Sequence, residues 1–192
     1  MTGSISLFIE VCWLAWLAYW VAMAFTTKRT LERGGFFGYR LAGAAVVIVC
    51  VLAGRLLNVS SHSHVWHTTA ALSIVCDAMV LTGAAFTVWA RITLGRNWSA
   101  EITFKQDHEL IESGPYALAR HPIYTGLIGA FFALAIQIGL PLGLLGAALI
   151  ALGFGLKGRI EERFLSAELG EAAYADYRRR VPMLIPFWPM AR

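Results

Sequence analysis

From Pro122 to Leu156 the chain runs 35 residues without a single Lys, Arg, Asp or Glu. A helix needs about 20 mostly apolar residues to cross the hydrocarbon core of a bilayer, so this run has the length for two crossings. Gly139-Leu140-Pro141-Leu142-Gly143 sits near its middle. Glycine and proline punctuate helices, and the run therefore reads as a tight helical hairpin. At its start Tyr116, Arg120, His121 and Tyr124 crowd together; immediately after it come Lys157, Arg159, Glu161 and Glu162. A hairpin returns the chain to the side from which it started. Both polar clusters are thus expected at one end of it.

The rest of the sequence repeats this pattern. Hydrophobic residues make up 58% and charged residues only 15% of the chain, against roughly 25% charged in soluble domains. The mean hydropathy is +0.62. A first span is expected from about Ile5 to Thr26, a second from Tyr39 to Leu57 and a third from Val65 to Ile92. With the hairpin this makes five spans in one membrane domain, an all-α bundle with no room for a second soluble domain. The expected layout is three spans in residues 1–92, a loop over 93–122, the hairpin over 123–156 and a charged amphipathic segment over 157–192. In that last segment Ile160, Phe164 and Leu165 recur at helical spacing, as do Leu169, Ala173 and Tyr177; Gly170 interrupts and Pro182 and Pro186 end the pattern. The first apolar stretch lacks a basic flank, so a cleaved signal peptide is not expected.

The basic residues set the orientation. Lys28, Arg29, Arg33 and Arg40 follow the first span, and Arg91, Arg96, Lys105 and Arg120 follow the third. Lys157, Arg159, Arg163 and Arg178 to Arg180 occupy the tail, whereas the loop after the second span carries only histidines. Cytoplasmic loops are enriched in Lys and Arg. This predicts an N-terminus outside and the polar clusters in the cytoplasm. The net charge of +4 reflects the same bias and not a nucleic-acid surface.

The remaining polar features carry less. Cys12, Cys50 and Cys76 lie singly in apolar segments and read as small packing residues. His62, His64 and His67 show no fourth ligand for a metal, and no metal site is expected. Asp77, at membrane depth, is expected in an intrabundle pair, with Arg55 as a candidate. Arg178 to Arg180 read as a contact with anionic lipid.

Leu94 to Ser99, His108 to Ile111 and Gly114 to Gly126, followed by Arg159 to Glu162, Leu165, Gly170, Tyr174, Tyr177, Val181-Pro182 and Ile185-Pro186, resemble the isoprenylcysteine carboxyl methyltransferase family and its bacterial relatives. The likeness covers Leu94 to Pro186; the first 90 residues match only as hydrophobic spans. It implies an S-adenosylmethionine-dependent membrane enzyme. By this resemblance His108, Glu109, Leu110, Ile111, Gly114, Tyr116, His121, Pro122, Tyr124, Glu161 and Glu162 hold the cofactor. Arg159, Lys157 and Arg120 are the candidate catalytic residues: Lys157 or Arg159 orients the acceptor, and on physical grounds the Arg120 guanidinium suits a bidentate pairing with the cofactor carboxylate. The implied acceptor is an amphiphilic lipid reached from the bilayer, the carboxylate of a prenylcysteine-like substrate first and a phospholipid or other small lipid methylated on N or O as the alternative, and the composition suggests a bacterial inner membrane. Two other classes share some of these features: a nicotinamide-dependent sterol-type reductase, with a similar Arg-His-Pro-x-Tyr pattern, and a non-enzymatic scaffold or transporter. The sequence leaves the oligomeric state open.

Overall fold

The computed structural model describes residues 7–24, 30–33, 65–95, 98, 103–105 and 110–188. The expected second span, Cys50, Arg55, His62, His64, Arg96, His108 and Glu109 lie outside these residues. The described helices are α1 (Leu7–Ala24), α2 (Ala70–Leu94), α3 (Pro122–Ile138), α4 (Pro141–Leu169) and α5 (Glu171–Arg180). A 3-10 turn over Gly114–Ala117 leads into α3.

The fold is helical as expected, with one short addition. Strand β1 (Thr30–Arg33) pairs antiparallel with β2 (Thr103–Lys105). These two segments follow α1 and α2 in the chain, so the ladder ties a stretch after one helix to a stretch after the other. Alternation of short polar and apolar residues in such loops gives no periodicity long enough to read as strand.

α2 and α3 form the centre of the bundle. A Cβ placed on Gly83 would sit 2.5 Å from the carbonyl oxygen of Gly126, and one on Gly126 would sit 2.6 Å from that of Gly83. The two backbones meet directly, the arrangement by which small residues let membrane helices pack without a hydrophobic driving force. Cys76, Val80 and Ala133 fill the neighbouring layer, with Trp13 of α1 packed on them. Trp16 anchors α1 through a 2.7 Å hydrogen bond from its indole N–H to Thr87 Oγ1. Asp77 is paired within the bundle: the Gln137 amide donates to it at 2.8 Å, while the candidate Arg55 lies outside the described residues.

The hairpin forms at the expected residues. Gly139 takes the left-handed conformation, φ 77°, that ends α3, and Pro141 opens α4 with the fixed φ that suits a first helical turn. Trp66 donates to the carbonyl of Ile136 at 2.8 Å and Val65 N–H to that of Gly139 at 3.1 Å. The segment leading into α2 thereby covers the turn, and the opposite end of α2 lies beside the beginning of α3. α4 runs unbroken through residue 157 to Leu169, so the charged segment begins inside a helix already formed by the apolar one.

α2 and α4 are long and apolar enough to cross a membrane, and α1 and α3 contain shorter apolar stretches. Their outward faces are apolar as well. On α4 the exposed side chains Leu145, Leu149, Leu152 and Leu156 make one stripe that stops where Lys157 begins.

Candidate active site

The site is built where α3 starts and α4 leaves the apolar layer. Arg120 and His121 precede α3, Tyr124 lies in its first turn, and Lys157, Glu161 and Glu162 project from α4. Lys157 and Glu161 are one turn apart and share a helix face. Their charged ends stand 3.1 Å from each other. The Tyr124 hydroxyl is 2.7 Å from both Glu161 carboxylate oxygens, to one of which it donates, and accepts from Lys157 Nζ at 2.7 Å. His121 Nδ1 is 3.5 Å from the same carboxylate.

A second ion pair backs the first. Arg120 Nε donates to Glu162 Oε1 at 2.7 Å, with both side chains less than a tenth exposed. The Arg120 guanidinium also donates to the carbonyls of Arg178, at 3.2 Å, and Val181. His121 joins the two pairs. Its Nε2 lies 3.3 Å from Glu162 Oε1 without completing a hydrogen bond, and it is a buried nitrogen with no hydrogen-bond partner among the described residues.

Aromatic rings form the wall. His121 stacks on Tyr124, centroids 5.3 Å apart and planes 3° from parallel, and Tyr124 stacks on Phe154 at 4.7 Å. Lys157 Nζ lies 5.0 Å from the Tyr124 ring centroid. Gly158 makes this packing fit: a Cβ there would come 2.6 Å from Met183 Cε and 3.2 Å from His121 Nε2.

The C-terminal tail closes the back. The carbonyls of Pro182 and Met183 accept from the backbone N–H groups of Arg120 and His121 at 2.9 and 3.1 Å, and Leu184 O accepts from Thr125 Oγ1 at 2.5 Å. Helix beginnings leave backbone donors without intrahelical partners; the tail meets this need at the start of α3. Tyr177 donates to the carbonyl of Tyr116 at 2.7 Å. Burial pushes the phenols of Tyr116, Tyr174 and Tyr177 well above the ordinary tyrosine range.

The structure thus brings together Arg120, His121, Tyr124, Lys157, Glu161 and Glu162. Pro122 is buried as the first residue of α3. Leu110 packs against the Tyr174, Tyr177 and Val181 cluster, and Ile111 follows it, half-buried. Gly114, at φ 60°, sits against Thr93 and Trp89. Arg159 points elsewhere: two residues from Lys157 it is turned by roughly 200° around the helix, exposed beside Arg163 and Ser166. Sequence reasoning missed Phe154, although it lies seven residues before Glu161 and hence on the same helix face. It also missed the tail carbonyls, which no side-chain pattern announces. Arg91, read as a loop charge, is fully buried; it donates to the carbonyl of Met23 at 2.7 Å and lies over Trp98.

Fold and site together define a helical membrane protein with an ion-paired, aromatic-walled cluster at the end of an apolar hairpin. The family profile for the isoprenylcysteine carboxyl methyltransferase (ICMT) family matches residues 71–167. The protein-S-isoprenylcysteine O-methyltransferase of Schizosaccharomyces pombe is 30% identical over 180 residues, covering 90% of this chain and 68% of that one. The cobalt-zinc-cadmium resistance protein CzcN of Cupriavidus metallidurans is 31% identical over 150 residues, covering 77% of this chain and 64% of its own. Among solved structures, the eukaryotic intramembrane Ras methyltransferase ICMT superposes with a TM-score of 0.56 at 24% identity, over 80% of this chain and 54% of that one. The chain belongs to the isoprenylcysteine carboxyl methyltransferase family, a family of membrane methyltransferases. It spans just under two thirds of the length of the resistance protein and about half of the solved enzyme.

Proposed function

We propose that this protein transfers a methyl group from S-adenosylmethionine to a lipid-borne acceptor, and that the acceptor is the carboxylate of a prenylcysteine-like amphiphile. The observation that carries the reading is the Lys157–Tyr124–Glu161 cluster, placed where the exposed leucine stripe of α4 ends. It presents a carboxylate, an ammonium group and a phenol beside a bilayer-facing surface.

The residues suit the cofactor. Glu161 matches its α-ammonium group, in a charge-assisted hydrogen bond stronger than a neutral one. The His121, Tyr124 and Phe154 rings suit a sulfonium cation and a flat base. His121 Nε2 lies 3.3 Å from Glu162 and makes no hydrogen bond among the described residues, so it retains donor or acceptor capacity. Bound S-adenosylmethionine supplies an electrophilic methyl group on sulfur. The protein's part is alignment and exclusion of water. A carboxylate is already ionised at neutral pH, so no strong base is required. Lys157, rather than the outward-facing Arg159, steers it. Arg120 and Glu162 act as positioning residues that hold His121 and the tail.

Family likeness and the distribution of basic residues support five spans, with the C-terminal segment and the site on the cytoplasmic side of a bacterial inner membrane. The test is calorimetric titration of the detergent-purified protein with S-adenosylhomocysteine, with NADPH in parallel. It is followed by transfer of a labelled methyl group to S-farnesyl-N-acetylcysteine. Micromolar binding of S-adenosylhomocysteine together with labelling supports the proposal. Binding of NADPH alone makes the protein a reductase. Cofactor binding without labelling shifts the acceptor to another lipid acid, phenol or amine.

A further inference from the structure

The tail does more than cap α3. Met183 lies against Gly158 and Leu184 against Gly155, where a Cβ would meet Leu184 Cδ1 at 4.0 Å. Gly155 is one residue before Leu156, the last side chain of the outward leucine stripe. The tail is therefore fixed at the height where the apolar surface of α4 gives way to charge. Beyond this point Ile185, Phe187 and Trp188 are exposed, Phe187 at 85%. Phe187 also holds a left-handed backbone, φ 62°, uncommon for a bulky residue. Exposed Trp and Phe at this level match the interfacial aromatics of membrane proteins.

Beside them lies a concave surface of about 620 Å³ lined by Arg178, Arg179, Pro182, Met183, Ile185 and Trp188. Arg178 and Arg179 are exposed at its edge, Arg180 is exposed on the same helix outside the lining, and Arg120 contributes from below. Among the described residues the acidic groups paired with these four arginines are Glu112, Glu162 and Asp176, one fewer than the arginines. An apolar floor at the lipid boundary with a cationic rim is complementary to one kind of partner.

We propose that the α5–tail surface is a binding site for the headgroup of an anionic phospholipid, with Ile185, Phe187 and Trp188 against its acyl chains and Arg178 and Arg179 on its phosphate. The site adjoins the candidate active site, with which it shares Arg120, but takes its phosphate contacts from Arg178 and Arg179 and not from Lys157. Because Pro182, Met183 and Leu184 hold the start of α3, lipid bound here also steadies Arg120 and His121. The inference rests on the membrane placement and not on methyl transfer, so its test reads no activity.

The experiment measures thermal unfolding of the detergent-solubilised full chain with added phosphatidylglycerol or phosphatidylcholine. It compares the native protein with Arg178→Gln/Arg179→Gln and with Phe187→Ser/Trp188→Ser. Phosphatidylglycerol is expected to raise the midpoint about 2–4 °C more than the same mole fraction of phosphatidylcholine. That preference is expected to disappear in the arginine variant and to fall in the aromatic one. Phosphatidylglycerol with brominated chains is expected to quench a fluorescence component that Trp188→Phe removes. A preference that survives in both variants overturns the proposal. So does equal protection by inorganic phosphate, which would make the site one for soluble anions. Absence of a Trp188 component in the quenching overturns the lipid contact even if the arginines matter.

Discussion

Arg120 and Glu162 offer the sharpest test of how the site is held. Both side chains are less than a tenth exposed, at 2.7 Å, and Arg120 also serves two carbonyls of the α5–tail segment. Removing one member of a buried ion pair leaves the other charge uncompensated, at a cost of about 3–5 kcal/mol. For a chain of 150–250 residues, where each 1 kcal/mol shifts the midpoint by about 2–4 °C, Arg120→Met should lower it by roughly 6–20 °C. Glu162→Met should do likewise, since it leaves the Arg120 cation uncompensated, whereas His121 and Arg178 beside Glu162 ease the loss in Arg120→Met. Removing both leaves no buried charge, since a pair replaced by apolar groups is often near neutral. The double variant should therefore recover at least about 2 kcal/mol relative to the sum of the singles. The assay is thermal unfolding of all four proteins in one detergent, with amide exchange followed over residues 178–184. Arg120→Met should expose those amides, because the guanidinium ties their carbonyls to α3. Additivity within about 0.5 kcal/mol, with unchanged exchange in the tail, would refute the reasoning.

Three further outcomes follow from the same geometry. Glu161→Gln should weaken S-adenosylhomocysteine binding by about tenfold or more, since a charge-assisted bond is worth about 1.5–3 kcal/mol; calorimetry that shows native affinity would remove Glu161 from the cofactor site. Gly126→Val should destabilise by about 1–3 kcal/mol or more through overpacking, because its Cβ would meet the Gly83 backbone at 2.6 Å, whereas Gly129→Val, with open space at its Cβ, should be tolerated; equal midpoints for the two variants would contradict this crossing. Tyr116, Tyr174 and Tyr177 have phenol pKa values raised by burial, so the folded state favours their neutral form. The stability they confer is complete below the unfolded value, about pH 10, and falls as pH rises above it; absorbance at 295 nm should show these phenols ionising only with unfolding, and their early titration in folded protein would count against the packing around α5.

Much of the architecture was legible because membrane physics writes it plainly. A charge-free run broken by Gly139 and Pro141 can satisfy its backbone only as two helices. Return of the second helix then obliges Tyr124 and Glu161 to meet at one end. The i,i+4 spacing put Lys157 and Glu161 on one face, and the motif residues carried the family likeness. The short β1–β2 ladder was not legible, since three or four residues give no usable period.

What tertiary structure alone decided is the assignment of partners. Sequence placed Arg120 beside a cofactor carboxylate; packing gives its guanidinium to Glu162 and to tail carbonyls, which belong to the backbone and leave no trace in residue identity. Sequence left Lys157 and Arg159 as equal candidates; the turn of α4 about its axis sends one toward Tyr124 and the other outward. Asp77 was expected within the bundle, yet its partner Gln137 came from a helix 60 residues away, fixed by the depth at which Gly83 and Gly126 allow α2 and α3 to cross. Periodicity and charge therefore determined which elements form and where their ends lie. The rotation and depth of each helix, which follow from contacts distant in sequence, decided which charge meets which.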